Sequence, residues 1–298
     1  MSSPSSLVWL ITGTSSGLGK RLVLSALARG DSVIATARTL SKLEGLFPLT
    51  DRVQTFELDV TSGYKAIKSV VDQAVAVWGR IDVCVNNAGI GVKAIFEEGG
   101  SEKFREQFET NVFGVIDVTT AVLPAMRAQR SGTIVQIGSR SSWVPERVPT
   151  AYAHELQLNI PHPKQLFAVD ADAFPEAFSE TLATEVAPLG IRVLIVEPAA
   201  LVTEQILSQP LYFENLISDY KDTRDRAKGF FEGGWCTGDA DLAVEIVVDV
   251  VRGDGKAKGR EWPTYLVFGP GGDVAVRSKC EKMVKVLDEW KDVTGVLS

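Results

Sequence analysis

The chain has 298 residues, 45% of them hydrophobic and 23% charged, with a formal net charge of −7. Such a composition is globular and excludes wholesale disorder or a fibrous repeat. No run of about 18 apolar residues is present to span a bilayer, and the acidic balance argues against a nucleic-acid binder held by phosphate contacts.

The opening residues, Met1 to Ser6, lack a basic segment ahead of the first apolar run, so no secretory leader is expected. Cys84, Cys236 and Cys280 lie far apart, with no CxxC pair and no disulfide framework. His154 and His162 have no partners at zinc-site spacing, so no metal site is expected. Reduced thiols and the missing leader together point to a cytoplasmic protein.

In chain order, Leu7–Ile11 reads as an apolar strand ending at a Gly-rich turn. Gly17–Arg29 then puts Leu18, Leu22, Leu24 and Leu27 on one broad helical face, with Gly30 as the stop. Further strands are expected at Ser32–Thr36, Val53–Leu58, Asp82–Val85, Thr133–Ile137, Ile191–Val196 and Tyr265–Phe268. Helical periodicity covers Tyr64–Trp78, Glu102–Ala128, Ala240–Val251 and Val274–Trp290. Strands that are almost wholly apolar suit a sheet covered on both faces. Alternating strands and helices predict an α/β fold with a doubly wound parallel sheet.

The turn Thr12-Gly-Thr-Ser-Ser-Gly-Leu-Gly19 sits between a strand and a helix. Gly13 permits the tight turn. Gly17 and Gly19 allow the backbone to approach a pyrophosphate, which the free N–H groups of a helix start would hold. About 20 residues further on, an acid would bind the ribose 2′-hydroxyl of NAD. Here the segment is Ala35-Thr-Ala-Arg38, and an Arg suits the 2′-phosphate of NADP.

These motifs, with four more in order, resemble the short-chain dehydrogenase/reductase family, NADP-preferring members above all. The others are Leu58-Asp59-Val60, Asn86-Asn-Ala-Gly89, Asn111-Val-Phe-Gly114 and Pro198-Ala-Ala-Leu-Val-Thr203, the last with Ala199 in place of the family's Gly. The resemblance covers roughly residues 7–205. It implies a Rossmann-type single domain over 1–298: a dinucleotide-binding core at 7–200, a helical substrate lid at 204–239, and a C-terminal helix–strand–helix at 240–298. It implies a cofactor set of Gly13, Ser15, Gly17, Leu18, Gly19, Arg38, Asp59, Asn86, Ala88 and Thr203. The expected cofactor is NADP. Asn111 matches the residue that holds a proton-relay water in the family.

The family also places a Ser thirteen positions before a Tyr, and a Lys four positions after it. The Tyr is the general acid/base, the Ser hydrogen-bonds the same substrate oxygen, and the Lys lowers the Tyr pKa. A free Tyr titrates near ~10, so only about one part in a thousand is phenolate at pH 7. Ser139 and Tyr152 fit the first spacing, but Leu156 stands where the Lys belongs. Pro161 and Pro163 would break a helix continuing from Tyr152. A family-like helix resumes at Ala173-Phe-Pro-Glu, with Asp172 as N-cap, so an insertion of about sixteen residues, over 154–171, splits the Tyr from the Lys helix.

Three readings stay open at this point. In the first, Tyr152 still serves redox chemistry, with Lys164 or another cation folded back. In the second, an NADP-bound site runs isomerisation, cyclisation or dehydration with His154, Glu155, His162, Asp170 or Asp172. In the third, the chain is a cofactor-binding pseudoenzyme or the segment is an unspliced intron.

Residues 204–236 mix Leu207, Leu211, Tyr212, Phe213, Leu216, Tyr220, Phe230, Phe231 and Trp235 with charges. They read as short amphipathic helices over an apolar substrate, such as a polyketide, terpenoid, sterol or retinoid-like carbonyl. The expected partner is therefore a small lipophilic carbonyl or alcohol, of the kind met in secondary metabolism, with no nucleic acid and no membrane span. The family implies a homodimer through the Asn111 helix and the Tyr–Lys helix, but the second is shortened here.

Overall fold

Seven strands form one parallel sheet: β1 (Val8–Ile11), β2 (Ser32–Ala37), β3 (Val53–Glu57), β4 (Val83–Asn86), β5 (Gly132–Ile137), β6 (Ile191–Pro198) and β7 (Tyr265–Phe268). Their spatial order is β3-β2-β1-β4-β5-β6-β7. In this computed structural model residues 6–143, 173–204, 212, 214–232 and 236–295 are described, with backbone alone at 173–177 and 230–232.

Side chains alternate across the sheet, and each face buries its own core. Trp9, Ile11, Val33, Val85, Val135 and Leu194 meet Leu22, Val23 and Ala26 of α1 (Gly17–Ala28) and Val244, Val247 and Val251 of α7 (Ala240–Arg252). On the other face Leu10, Ile34, Cys84, Ile134 and Val193 meet Ile67 and Val71 of α2 (Tyr64–Trp78). The same cluster takes in Val118, Val122 and Met126 of α4 (Gly114–Gln129) and Leu182 and Val186 of α5 (Ala173–Val186). The fold is thus the expected doubly wound sheet. β3 departs from the all-buried pattern because it is an edge strand, and most of its residues stay exposed.

The helix expected at Glu102–Ala128 is two helices. α3 (Phe96–Phe108) starts earlier, kinks at Gly100, and joins α4 through a π turn at Glu109–Phe113. Such turns shift the hydrogen-bond register by one residue and recur at functional sites. Here the shift falls on Asn111. After β6, α6 (Lys221–Glu232) precedes α7, and the chain closes with α8 (Gly272–Glu289) and α9 (Lys291–Thr294).

The amino end of the sheet is tied by Asp31, which is fully buried. Its carboxylate accepts from Leu7 N at 2.9 Å and Trp9 Nε1 at 2.9 Å, and pairs with the Arg252 guanidinium. This one side chain therefore joins β1, the start of β2 and the end of α7. Without Asp31, Arg252 keeps Asp254 at 2.9 Å, but Leu7 N and Trp9 Nε1 lose their acceptor, at about 1–3 kcal/mol each. Asp31→Ala should lower the urea midpoint of unfolding by that much stability, whereas Asp31→Asn, which keeps an acceptor, should lose less. Equal and small effects of both would remove Asp31 from this role.

Candidate nucleotide-binding and catalytic site

The carboxyl ends of β1 and β4 carry two turns in direct contact. Gly13 has φ +69°, and a Cβ there would lie 2.8 Å from Ala88 Cα. A Cβ on Gly19 would lie 2.4 Å from both Asn87 Nδ2 and Gly13 O. Real Cβ atoms do not come so close to backbone, so both positions require glycine. Thr12 makes the joint: its Oγ1 accepts from Asn87 N at 3.0 Å and from Ala88 N at 2.9 Å. Asn87 Nδ2 returns hydrogen bonds to Thr12 O at 2.8 Å and Gly13 O at 3.1 Å.

Behind this joint α1 begins at Gly17, φ +58°, with Ser16 as N-cap and no side-chain cap bond. Its first N–H groups are the donors a phosphate would take. A carboxylate takes one of them: Glu204 Oε2 accepts from Gly17 N at 3.1 Å. Arg21, on the same helix, holds Glu204 at 3.0 Å and also reaches Asp241 at 3.1 Å. The hydrogen bond from Arg21 pulls the Glu204 carboxyl down to about 2. The turn therefore accepts an anion at the place where the sequence pattern expects a pyrophosphate.

The remaining expected residues lie around the same sheet end. Ser15 and Leu18 are half-buried in the glycine turn. Arg38 is exposed just after β2 and has no ion pair among the described residues. Asp59, following β3, uses Oδ1 to accept from Thr61 N at 2.9 Å and Thr61 Oγ1 at 2.8 Å. Asn111 clips the loop after β4, its Oδ1 accepting from Ile90 N and its Nδ2 donating to Ile90 O, both at 2.9 Å. Thr203 is buried after β6. Ser139, two residues past β5, caps the short turn Arg140–Ser142, its Oγ accepting from Ser141 N at 3.1 Å.

Asn86 uses its side chain within the fold. Its side chain is buried and donates to Thr119 Oγ1 of α4 at 2.9 Å, while the neighbouring Asn87 meets the glycine turn. Tyr152, Lys164, His154, Glu155, His162, Asp170 and Asp172 lie outside the described residues. α5 starts at Ala173, where the sequence expects the helix to resume. The Ala199 substitution is tolerated with strain next door: Ala200 takes φ +48°, a left-handed conformation that disfavours a Cβ.

Several contacts carry no sequence signal, because they join residues far apart in the chain. Glu204 is one. Another is Glu197, buried at the end of β6, which accepts from the Trp143 indole and braces the turn beside Ser139. The lid is a third. α6 buries Thr223 and Ala227, and the acids Glu97 and Glu98 of α3 anchor the chain around it. Glu98 pairs with Arg224 and accepts from Ile217 N at 2.8 Å, and Tyr220 Oη donates to Glu97 at 2.8 Å. The described part of this segment is thus fastened by one ion pair and two hydrogen bonds. Leu207, Leu211, Phe213 and Trp235 lie outside the described residues, as do the side chains of Phe230 and Phe231.

Cys84 offers no thiol chemistry, since burial pushes it up to about 12. Among the described residues, no cluster of three or more His, Cys, Asp or Glu side chains could hold a metal ion, and no helix is long and apolar enough to cross a membrane.

A glycine turn pressed against a second turn at the switch point of a parallel sheet defines a dinucleotide-binding protein. Comparison with known proteins gives its family. A sequence model of the short chain dehydrogenase family matches residues 7–154. The chain is 37% identical to the oxidoreductase BOA17 of Botryotinia fuckeliana, over 96% of this chain and 97% of that one. It is 34% identical to a 3-ketodihydrosphingosine reductase of Bacteroides thetaiotaomicron, over 63% and 62% respectively. The crystal structure of a short-chain dehydrogenase from Streptomyces avermitilis superposes with a TM-score of 0.80 at 32% identity, covering 99% of this chain and 100% of that one. The chain belongs to the short-chain dehydrogenase/reductase family, a family of nicotinamide-dependent oxidoreductases, and is an enzyme of it. The matched stretch ends two residues beyond Tyr152, where the sequence leaves the family pattern.

The Thr12 joint can be tested directly. Thr12→Val leaves two backbone N–H groups without their acceptor, at about 1–3 kcal/mol each. Thr12→Ser should keep both bonds and near-native stability. The expected outcome is a lower melting temperature for the Val variant only, read by calorimetry.

Proposed function

We propose that the enzyme uses NADP(H) to interconvert a carbonyl and a secondary alcohol on a lipophilic small molecule. The observation that carries the cofactor reading is the anion-accepting start of α1, where Gly17 N already holds a carboxylate, with Arg38 exposed at the end of β2 and without an ion pair among the described residues. In this reading Gly13, Ser15, Gly17, Leu18 and Gly19 hold the pyrophosphate. Arg38 meets the 2′-phosphate, Asp59 the adenine amino group and Thr203 the nicotinamide carboxamide. Ala88 shapes the wall. Asn86 acts through its hold on α4 and not by side-chain contact.

The nicotinamide, held by these residues, would supply hydride to the carbonyl carbon. Ser139 Oγ donates to the carbonyl oxygen and orients it. Tyr152 gives that oxygen its proton, which in reduction requires only a neutral phenol. Asn111 organises the path by which the proton is restored from solvent. Without a Lys four residues on, nothing at that position lowers the Tyr152 pKa or orients the nicotinamide ribose. A misplacement of about 1 Å can cost about a hundredfold in rate, so turnover below the family norm is expected. The tyrosine and leucine content of the lid supports a lipophilic substrate of the kind handled in secondary metabolism. The chain's three cysteines, Cys84, Cys236 and Cys280, are unpaired, which supports a reducing, cytoplasmic setting.

Fluorescence titration of the purified chain tests the reading. NADPH should bind more tightly than NADH, and Arg38→Asp should weaken NADPH by about tenfold or more, each tenfold being about 1.4 kcal/mol. An unchanged NADPH/NADH ratio would remove Arg38 from the site. Absence of binding by either nucleotide would sink the oxidoreductase reading.

Glu204 gives a second test. A pyrophosphate at Gly17 N must displace this carboxylate, and the two anions repel. Glu204→Gln is expected to bind NADPH several-fold more tightly at low salt, with the gain shrinking as salt screens the charge. Weaker binding by the variant would show that the Arg21–Glu204 pair supports the nucleotide instead of competing with it.

A further inference from the structure

α8 is longer than the body it packs on. At 18 residues it spans about 27 Å. Its start is seated: Gly272 and Ala275 are buried against the β7 end of the sheet, and Gly272 lies beside Val267 and Ala199. The same face then runs on uncovered by any described residue. Met283, Leu287 and Trp290 are 49%, 65% and 56% exposed, and Val286 lies among them.

The spacing of these residues is that of a helix-pairing seam. Val276, Met283 and Trp290 recur every seven residues, and Val286 and Val293 fall three positions after Met283 and Trp290. They occupy the a and d positions of a heptad, with Lys279 at the remaining d position and Leu287 widening the stripe. A helix face of this kind in water is stable only against another apolar surface.

The charges choose the partner. Lys282 and Glu289 are seven residues apart on one edge of the stripe, the g position. In an antiparallel pair of identical helices, g faces g, so a two-fold axis near Val286 sets Lys282 of each copy against Glu289 of the other. In a parallel pair they would face Leu287 and Thr294 and pair with nothing. α8 and α9 together carry equal numbers of Lys/Arg and Asp/Glu, which gives an anionic lipid surface no purchase. We infer that α8 is a self-association surface, on which a second copy of this chain docks with its α8 antiparallel across a two-fold axis at Val286.

Sedimentation of the full-length chain over a wide concentration range tests this. The mass should rise from 32.3 kDa toward twice that value. Lys282→Glu and Glu289→Lys should each weaken the dimer by about tenfold, and the double variant K282E/E289K should restore it. The exposed Lys285–Glu289 pair, 3.6 Å apart within one helix, contributes little to this comparison. In a Cys280→Ser background, which leaves only buried thiols, Val286→Cys should cross-link two chains on addition of a mild oxidant. A monomer at every concentration would overturn the inference, since the stripe would then be covered from within the chain or by another ligand. So would a dimer indifferent to both single charge reversals, which would locate self-association on another face.

Discussion

The close approach of two turns governs this molecule. Gly13 and Gly19 of the first turn leave no room for a Cβ against Asn87 and Ala88 of the second. Thr12 Oγ1 and Asn87 Nδ2 lock the pair in both directions. β1 and β4 must be neighbours for this to happen, so the contact also selects the sheet order. Between β1 and β4 the winding reverses, and a crevice opens at the carboxyl ends of the strands. The residues proposed to hold the cofactor, with Asn111 and Ser139, all come from segments that end at that edge.

The two ends of the sheet treat charge in opposite ways. At the amino end, Asp31, Arg252, Arg29, Asp249 and Asp254 satisfy one another in a partly buried network. At the carboxyl end, the start of α1 has no side-chain cap bond and Arg38 is exposed. Glu204 accepts from one N–H of that helix start, and Arg21 keeps it ionised far into acid. Sign matters here. A carboxyl held at about 2 adds its ion-pair stability above the ordinary carboxylate range and loses it as pH falls through that interval. Near neutral pH the pair is fully formed.

α5 enters the core through Phe178, Leu182, Ala183 and Val186, with Ser179 fully buried, and β6 follows after one short turn. The helix closes the core on its face of the sheet.

The sequence by itself determined the strands, most helices, the glycine turn and the family, because each rests on local periodicity or on spacing within one turn. β7 and α2 were legible to the residue. Tertiary structure decided what depends on neighbours remote in the chain. It gave the grip on the glycine turn to Asn87 and turned Asn86 toward Thr119. It put Glu204, 187 residues away, on Gly17 N, and it fastened the lid through Glu98 and Arg224. It left α8 overhanging, although its apolar stripe alone reads like any buried helix. Periodicity records which face of an element is apolar, but only the packed fold decides whether the protein itself covers that face.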